Sequence, residues 1–298
     1  MRDTEPTKVW IDGAIVDADA ARISVLDHGL LYGDGIFEGM RVYSGQVFRL
    51  PDHLRRFETG ARAIGLELPG DTDFVAQVVL ETACAFGQSE AYIRLIATRG
   101  RGALGVDPTT CHDPQLICIV TSIALYPEEK LSRGIDLVTA SLRRPSADAV
   151  DPAIKSLNYL NSVLAKREAR LRGADEALIL NRAGMVAEAS VANVFAVRDG
   201  TLATPQVSDG ALPGITRASV IEIAGDLGLP VSERTLGRFD LLAADEVFLT
   251  GSGARIVPVA TLDGQPIGPS GAGCGPITAR IMDAFTHFTE HRGTPLSA

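Results

Sequence analysis

The chain has 298 residues, a length that predicts two domains of ordinary size or a single large one. Hydrophobic residues make up 46% of the sequence and charged residues 22%, the balance of a globular protein that can bury a large core. The formal net charge of −9 at pH 7 repels phosphate backbones, so the composition argues against nucleic acid as a partner.

Strand and helix signals come in blocks along the first part of the chain. Two hairpins are predicted, around Asp12-Gly13 and Ser44-Gly45, because these pairs suit tight turns between apolar runs. Two helices and then two strands are predicted at 53–64, 73–86, 91–99 and 115–126. This order, with strands first, then helices and then strands again, predicts an α+β fold.

The segment 127–131, which opens with Pro127, interrupts this pattern and is the predicted interdomain linker. It separates a small N-terminal α/β domain, 1–126, from a large C-terminal α/β domain, 132–298. Helices are predicted in the second domain at 161–172, 216–227 and 275–291. Strands are predicted there at 135–141, 177–181, 186–188, 193–197, 246–250 and 256–259.

Other features set the expected environment. The four cysteines show neither a CxxC pair nor a zinc spacing, which predicts a reducing, cytoplasmic location. No run approaches the roughly 20 apolar residues of a membrane-spanning helix, so no membrane partner is expected. His287 and His291 have the i, i+4 spacing of metal ligands but no evident third ligand, so no metal is expected.

The run Gly100-Arg101-Gly102-Ala103-Leu104-Gly105 has the GxGxxG spacing of dinucleotide sites. Such a site needs a helix that starts at the glycines, and the residues from Val106 to Pro114 predict a loop instead. A dinucleotide-binding function is therefore not expected.

Lys155 is the first candidate for chemistry, because it follows an apolar pair in a segment poor in charge, at the entry to a predicted helix. A desolvated lysine readily presents the neutral amine that condenses with a carbonyl group. Taken alone, a lysine of this kind is more often an ordinary surface residue.

Two further segments offer what a single ligand needs. Glu188 ends a predicted strand among small apolar residues, where a buried carboxylate pairs either with a core arginine or with a protonated ring nitrogen. In Leu212–Arg217 a turn opens a helix whose first N–H groups and Thr216 hydroxyl offer either a phosphate site or a simple N-cap. Together with a carbonyl-binding lysine, these features indicate pyridoxal 5′-phosphate.

Eight blocks of sequence, in order, extend this pattern: Asp27–Arg41, His53–Phe57, Ala91–Arg94, Lys155–Ser162, Glu188–Phe195, Leu212–Arg217, Ala244–Phe248 and Thr250–Gly253. With them the chain resembles the class IV aminotransferases, most closely the branched-chain amino-acid aminotransferases, from about Val9 to Phe288. The resemblance implies a fold-type IV pyridoxal-phosphate enzyme of two α/β domains with the cofactor between them.

The resemblance also implies roles for single residues. Lys155 would carry the cofactor as a Schiff base and shuttle the proton, Glu188 would keep the pyridine nitrogen protonated, and Tyr159 would hydrogen-bond the O3′ oxygen. The residues that would bind the phosphate are Arg56, Ile215, Thr216 and Ser252. The residues that would line the substrate side are Tyr32, Phe37, Arg41, Tyr92, Arg94, Gly251, Ser252 and Gly253.

The loop Gly251–Arg255 departs from the Gly-Thr-Ala-Ala-Glu-type segment usual in branched-chain members, because Arg255 replaces an acid. Either the backbone amides of this loop still bind the substrate carboxylate, or Arg255, Arg99 or Arg101 takes part.

The expected reaction is transamination between a branched-chain L-amino acid and a 2-oxo acid such as 2-oxoglutarate. A D-amino-acid transaminase, with some (R)-amine activity, is an alternative because Tyr32–Gly35 also resembles that pattern, and 4-amino-4-deoxychorismate lyase is a further one. Family members are commonly homodimers, so a second copy of the chain is an expected partner besides the amino-acid and 2-oxo-acid substrates.

Overall fold

A computed structural model describes residues 7–268 and 273–296 of the chain. The described residues form two compact units. The first unit contains the described residues up to Ile123, the segment Ile154–Asn158 and the described residues from Thr289 onward. The second unit contains Ala124–Ala153 and Tyr159–Phe288.

The strands and helices of both units are numbered in chain order. The strands are β1 (Thr7–Ile11), β2 (Ala14–Asp17), β3 (Gly35–Tyr43), β4 (Gln46–Phe48), β5 (Ala91–Thr98), β6 (Gln115–Thr121), β7 (Ile135–Arg143), β8 (Glu176–Leu180), β9 (Val186–Ala189), β10 (Asn193–Arg198), β11 (Thr201–Thr204), β12 (Val231–Glu233), β13 (Glu246–Gly251), β14 (Arg255–Leu262), β15 (Gln265–Pro266) and β16 (Gly293–Pro295). The α-helices are α1 (His28–Tyr32), α2 (Leu50–Ala63), α3 (Thr72–Phe86), α4 (Glu128–Arg133), α5 (Leu160–Leu171), α6 (Ile215–Asp226), α7 (Arg238–Leu242) and α8 (Pro276–Glu290).

The first unit is built on a seven-stranded antiparallel sheet in the order β16-β4-β3-β5-β6-β1-β2. Helices α2 and α3 cover one face of this sheet, and Val79 of α3 packs into a core with inward side chains of the sheet such as Met40 and Leu95. Along β5 buried residues alternate with partly exposed ones, as expected for a strand with one covered face. Tyr92 and Arg94 therefore lie on the face opposite the helices.

The second unit is built on a nine-stranded mixed sheet, in the order β12-β11-β10-β13-β14-β7-β8-β9 with β15 paired to β14. Strands β8 and β9 are buried throughout, which is why their sequences lack polar alternation. Helix α5 packs Ala165 and Ala169 into a small core with β7 and β8. The rings of Phe195 and Phe248 stack with centroids 5.0 Å apart.

The α+β prediction is confirmed, and each of the five predicted helices has a counterpart in α2, α3, α5, α6 and α8. The helices α1, α4 and α7 were not predicted, because helices of five or six residues are too short to show a helical period. No helix in the described part of the chain is both long enough and apolar enough to span a membrane.

The division between units differs from the predicted ranges 1–126 and 132–298. The predicted linker lies inside the second unit, where Pro127 caps α4 and Lys130 pairs with Asp175 at 2.7 Å. Two later segments belong to the first unit, because Ile154–Asn158 bonds to β3 and β16 pairs with β4. Lys155 is therefore part of the first unit rather than of the C-terminal one.

Candidate active site

Lys155 lies in a short extended segment beside strand β3. The N–H of Phe37 donates to the carbonyl oxygen of Lys155 at 2.9 Å, and the N–H of Leu157 donates to that of Gly35 at 2.9 Å. These bonds on either side of the lysine fix the backbone from which its amine extends.

The Lys155 amine lies over the ring of Phe37, with its nitrogen 4.5 Å from the ring centroid. The Cζ of Arg94 lies 4.5 Å from the same centroid, and Nε and Nη2 of Arg94 donate to the Tyr92 hydroxyl at 3.2 and 2.8 Å. Tyr92 approaches Gly39 so closely that a Cβ there would be 2.5 Å from the hydroxyl. The structure thus places the predicted lysine and Arg94 at the ring of Phe37, and Arg94 connects this group to Tyr92. Phe37, Tyr92 and Arg94 are all predicted substrate residues.

The other face of β3 holds a buried charged cluster that contains Arg56. Glu38 accepts the Nε and Nη2 protons of Arg56 at 2.7 Å each, and it bonds Nδ1 of His53 at 2.7 Å. Helix α2 presents His53 and Arg56 three residues apart, on one helical face. The predicted phosphate-binding arginine is therefore held in the two-pronged geometry that best orients a guanidinium group.

The charges in this cluster follow from its contacts. Burial raises the pKa of Glu38, but the charge of Arg56 and the contact with His53 outweigh burial and lower that pKa to about 2. Burial lowers the pKa of His53, although the bond to Glu38 opposes the shift. At neutral pH the cluster therefore contains an ionised Glu38, a neutral His53 and a charged Arg56.

Glu188 is buried on β9 in the second unit, and its two oxygens have different donors. Oε1 accepts from Nη2 of Arg144 at 2.6 Å. Oε2 accepts from the N–H of Leu212 at 3.0 Å and from Nδ2 of Asn193 at 3.1 Å. Three donors, one of them charged, favour the carboxylate form. The arginine partner that the sequence left open is thus present, while the contact of Glu188 with a ring nitrogen stays a prediction.

Helix α6 begins at Ile215 with Gly214 as its N-cap, so the predicted helix start is confirmed. Simple N-capping by Thr216 is wrong, because Thr216 is already helical and no side chain caps the helix. The first amides of the helix, including those of Ile215 and Thr216, therefore keep the donor capacity that suits an anion. A Cβ at position 214 would collide with Oδ1 of Asn193, so this N-cap requires glycine.

The loop between β13 and β14 carries the other predicted phosphate and substrate residues. Gly251 pairs with Arg255 across the hairpin, and the turn that contains Ser252 and Gly253 is partly buried. Arg255 has a positive φ of 62° and an exposed side chain. Just before the loop, the Thr250 hydroxyl is buried with no hydrogen-bond partner among the described residues.

The remaining predicted residues lie on both units. Tyr159 is the N-cap residue of α5 in the second unit, and Arg41 lies on β3 in register with Tyr92. Tyr32 accepts the N–H of Gly105 at 2.8 Å. Tyr32 also lines a cavity of ≈ 260 Å³ together with residues of the lysine segment, Ser156 and Asn158.

The arginines near the glycine-rich loop have other partners. Arg99 donates from Nε and Nη2 to the two carboxylate oxygens of Asp34 at 2.9 Å each, and it also bonds the carbonyl oxygens of Ile64 and Gly65. Its side chain therefore links the residue before β3 to the residues that follow helix α2. Arg101 forms an exposed pair with Asp113 at 2.6 Å.

Four polar residues in these clusters received no role from the sequence: Glu38, His53, Arg144 and Asn193. Most of their partners lie 15 or more residues away along the chain, and no fixed spacing links these residues to a function. One signal was present for Glu38, since a charged residue between the core residues Ile36 and Met40 needs a buried partner.

A lysine on an extended segment, a buried carboxylate and a helix start with unfilled amides are features of enzymes that bind pyridoxal phosphate. The family model described as "Amino-transferase class IV" matches residues 35–262, and the chain belongs to this family.

Individual relatives agree along nearly the whole chain. A Methanocaldococcus jannaschii protein, provisionally named a branched-chain-amino-acid aminotransferase, is 44% identical over 278 residues, covering 93% of this chain and 95% of the relative. The crystal structure of the Escherichia coli branched-chain amino acid aminotransferase matches with a TM-score of 0.94 at 32% identity, covering 98% of this chain and 100% of that one. The T.th. branched-chain amino acid aminotransferase, complexed with N-(5′-phosphopyridoxyl)-L-glutamate, matches with a TM-score of 0.91 at 36% identity, covering 98% of this chain and 99% of that one.

These findings confirm the resemblance, the fold-type IV architecture and the predicted class of enzyme, a pyridoxal-phosphate-dependent aminotransferase. The relatives lend no support to the alternatives of a D-amino-acid transaminase or a lyase.

Proposed function

We propose that this aminotransferase moves the amino group of a branched-chain L-amino acid to 2-oxoglutarate, with pyridoxal 5′-phosphate as cofactor. The observation that carries the proposal is the grouping of the Lys155 amine, the Phe37 ring and the Arg94 guanidinium. The relatives support it, because they carry the branched-chain name and one of them binds a phosphopyridoxyl derivative of glutamate.

The residues present fit the chemical groups of the cofactor. Lys155 offers an amine for the aldehyde, and Glu188 offers an anion for the ring nitrogen. The phosphate is assigned to Arg56 and to the amides of Ile215 and Thr216, since a fixed guanidinium and a helix N-terminus both suit a dianion. Tyr159 is assigned to the ring oxygen and Ser252 to the phosphate, and the buried Thr250 hydroxyl next to that loop has donor capacity to spare. When bound, the cofactor supplies the electron sink and carries the amino group between the two substrates.

Lys155 also moves the proton in this proposal. Its Nζ would carry the proton from the substrate Cα to the cofactor's C4′ in the first half-reaction, and from C4′ back to Cα in the second. The ring of Phe37 beneath the amine excludes water from one side and restricts the directions in which the amine can move.

The two substrates differ in their side chains, and the ring and the arginine suit both. Phe37 provides an apolar contact for a branched aliphatic side chain. The second carboxylate of 2-oxoglutarate needs a cation, and Arg94, which Tyr92 holds in place, lies beside the same ring. The carboxylate that both substrates share is assigned to the substrate-side residues Tyr32, Arg41, Gly251, Ser252 and Gly253.

The active form is proposed to be a homodimer. Val25, Leu30, Leu104 and Val106 are all 60% exposed or more, and they lie on two segments of the first unit. Hydrogen bonds from Gly102 to Leu26 and from Gly105 to Tyr32 join these segments into one surface. An apolar surface of this kind favours a second copy of the chain. The free thiols of the four cysteines support the expected cytoplasmic location.

A half-reaction panel tests the substrate. Holoenzyme is mixed with L-leucine, D-alanine, D-glutamate or (R)-phenylethylamine, and the cofactor absorbance is followed without an acceptor. We expect a spectral change with L-leucine and none in the Lys155→Ala variant. A change only with the D or R compounds would contradict the proposed substrate.

Sedimentation of the holoenzyme tests the dimer separately. We expect twice the mass of the chain for the wild type and a lower mass for Leu104→Asp. A wild-type protein that sediments as a monomer at full activity contradicts the proposal.

A further inference from the structure

We propose that Arg144 is a positioning residue for amino transfer, because its guanidinium holds Glu188 as a fixed anion and so keeps the shared proton on the cofactor's ring nitrogen. The inference rests on the proposed role of Glu188. Neither the sequence blocks nor the predicted site residues include Arg144, which follows directly after β7.

Arg144 is itself anchored on three sides. Its Nη2 bonds Oε1 of Glu188 at 2.6 Å, its Nε donates to the carbonyl oxygen of Gly210 at 3.2 Å, and its Nη1 lies 3.4 Å from the Ser162 hydroxyl. The residue is 8% exposed, and Glu188 is 5% exposed. An arginine with contacts at all three nitrogens has little freedom to move, so the position of the Glu188 oxygen is fixed with it.

The other oxygen of Glu188 is fixed by neutral donors, the Leu212 N–H and the Asn193 amide. Arg144 is therefore the charged donor among these three. A buried carboxylate that loses its cation has a strong tendency to take up a proton. Without that cation Glu188 would hold the proton on its own oxygen rather than leave it on a bound ring nitrogen, and a ring without that proton would be a weaker electron sink.

Removing the charge of Arg144 therefore has a specific consequence for cofactor binding. The carboxylate of Glu188 becomes easier to protonate, so the acid side of the pH dependence of cofactor affinity moves to higher pH. A general loss of packing lowers stability but leaves that pH dependence in place. The pH profile thus separates a positioning role from a structural one.

The experiment titrates the apo forms of wild type, Arg144→Met, Arg144→Gln and Arg144→Lys with pyridoxal phosphate between about pH 5 and about pH 9, following absorbance. We expect Arg144→Met and Arg144→Gln to raise the Kd about tenfold at neutral pH. The acid limb of the pH profile, where affinity for the cofactor falls as the pH decreases, should shift upward by about one pH unit. Arg144→Lys keeps the charge and should restore most of the affinity. Arg144→Gln keeps a donor at the position from which Nε of Arg144 bonds the Gly210 carbonyl oxygen, so it provides a second test if the methionine variant misfolds.

Lys166→Met is the matched control. Lys166 bonds the fully buried Glu176 at 2.7 Å, so this variant also leaves a carboxylate of the second unit without its cation. We expect it to lose thermal stability to a similar extent with an unchanged Kd and acid limb. In the Glu188→Gln background, Arg144→Met should have little further effect on the Kd, because the two residues act through one contact.

The outcomes distinguish this inference from the proposed function. Unchanged Kd and acid limb in Arg144→Met and Arg144→Gln, with normal cofactor binding by the wild type, overturn the inference alone. A wild-type protein that binds no pyridoxal phosphate overturns both.

Discussion

Glu38 and Glu188 are both buried carboxylates bonded to an arginine, yet the two clusters are built differently. At Glu38 both oxygens meet the fork of one guanidinium group, and His53 adds a further bond. At Glu188 a single guanidinium nitrogen bonds one oxygen, and two neutral amides bond the other.

The difference fits the roles that we propose for the two pairs. A fork held at two points has its plane fixed, so Glu38 serves to orient Arg56. At Glu188 the bonds come from three separate groups and fix the carboxylate itself, as the role that we propose for Glu188 requires. The same chemical pair thus positions a cation in one unit and an anion in the other.

Glu188→Gln should give the largest effect. The variant keeps the shape of the side chain but loses the anion, so we expect turnover to fall about a hundredfold or more. Single-turnover kinetics with L-leucine measures it. Glu176→Gln, which changes another fully buried carboxylate of the same unit, should keep the turnover of the folded fraction. Near-normal turnover in Glu188→Gln would show that the enzyme does not need Glu188 as the anion beside the ring nitrogen of the cofactor.

Glu38→Gln should act first on stability. The pKa of Glu38 is lowered from 4.5 to about 2, so its ionisation stabilises the fold above pH 4.5, and this contribution is lost as the pH falls toward 2. We expect the variant to lose about 3 kcal/mol of unfolding free energy near pH 7, an order-of-magnitude value for a broken buried pair.

Denaturant unfolding between pH 7 and pH 2 checks this expectation. The gap between wild type and Glu38→Gln should narrow as the pH falls below 4.5. A gap that stays constant over this range contradicts the charge state assigned to the cluster.

Arg94→Lys should affect one substrate more than the other. Lysine keeps the charge but loses the planar fork, so the KM for 2-oxoglutarate should rise about tenfold. The KM for 4-methyl-2-oxopentanoate, an acceptor without a second carboxylate, should change little in the same variant. Equal changes in the KM for both acceptors would show that Arg94 does not bind the second carboxylate of 2-oxoglutarate.

Arg101→Gln should have the smallest effect. The Arg101–Asp113 pair is about half exposed on both sides, so solvent screens it and its loss should leave the free energy of unfolding almost unchanged. Steady-state kinetics should show unchanged KM values. A clear rise in the KM for both substrates would instead indicate that Arg101 binds the carboxylate that they share.

Local signals predicted a large part of the fold and provided individual candidates for the site. The start of α6 was predictable because Pro213-Gly214 ends one segment and Ile215 opens another, and Glu188 stood out as an acid among small apolar residues. The α+β order followed from strand and helix periods that each span only a few residues.

Contacts between distant segments were not predictable in the same way. No sequence pattern connects Arg144 with Glu188 or Glu38 with Arg56, since each pair forms only when separate elements pack. For the same reason the return of Ile154–Asn158 to strand β3 escaped prediction, and with it the assignment of Lys155 to the first unit.

The most direct test of the account is to find which lysine holds the cofactor. Holoenzyme is reduced with borohydride and digested, and the peptides are sequenced by mass spectrometry. We predict a phosphopyridoxyl group on Lys155 and an unmodified Lys166. A label on any other lysine, or none on a fully active enzyme, contradicts the account.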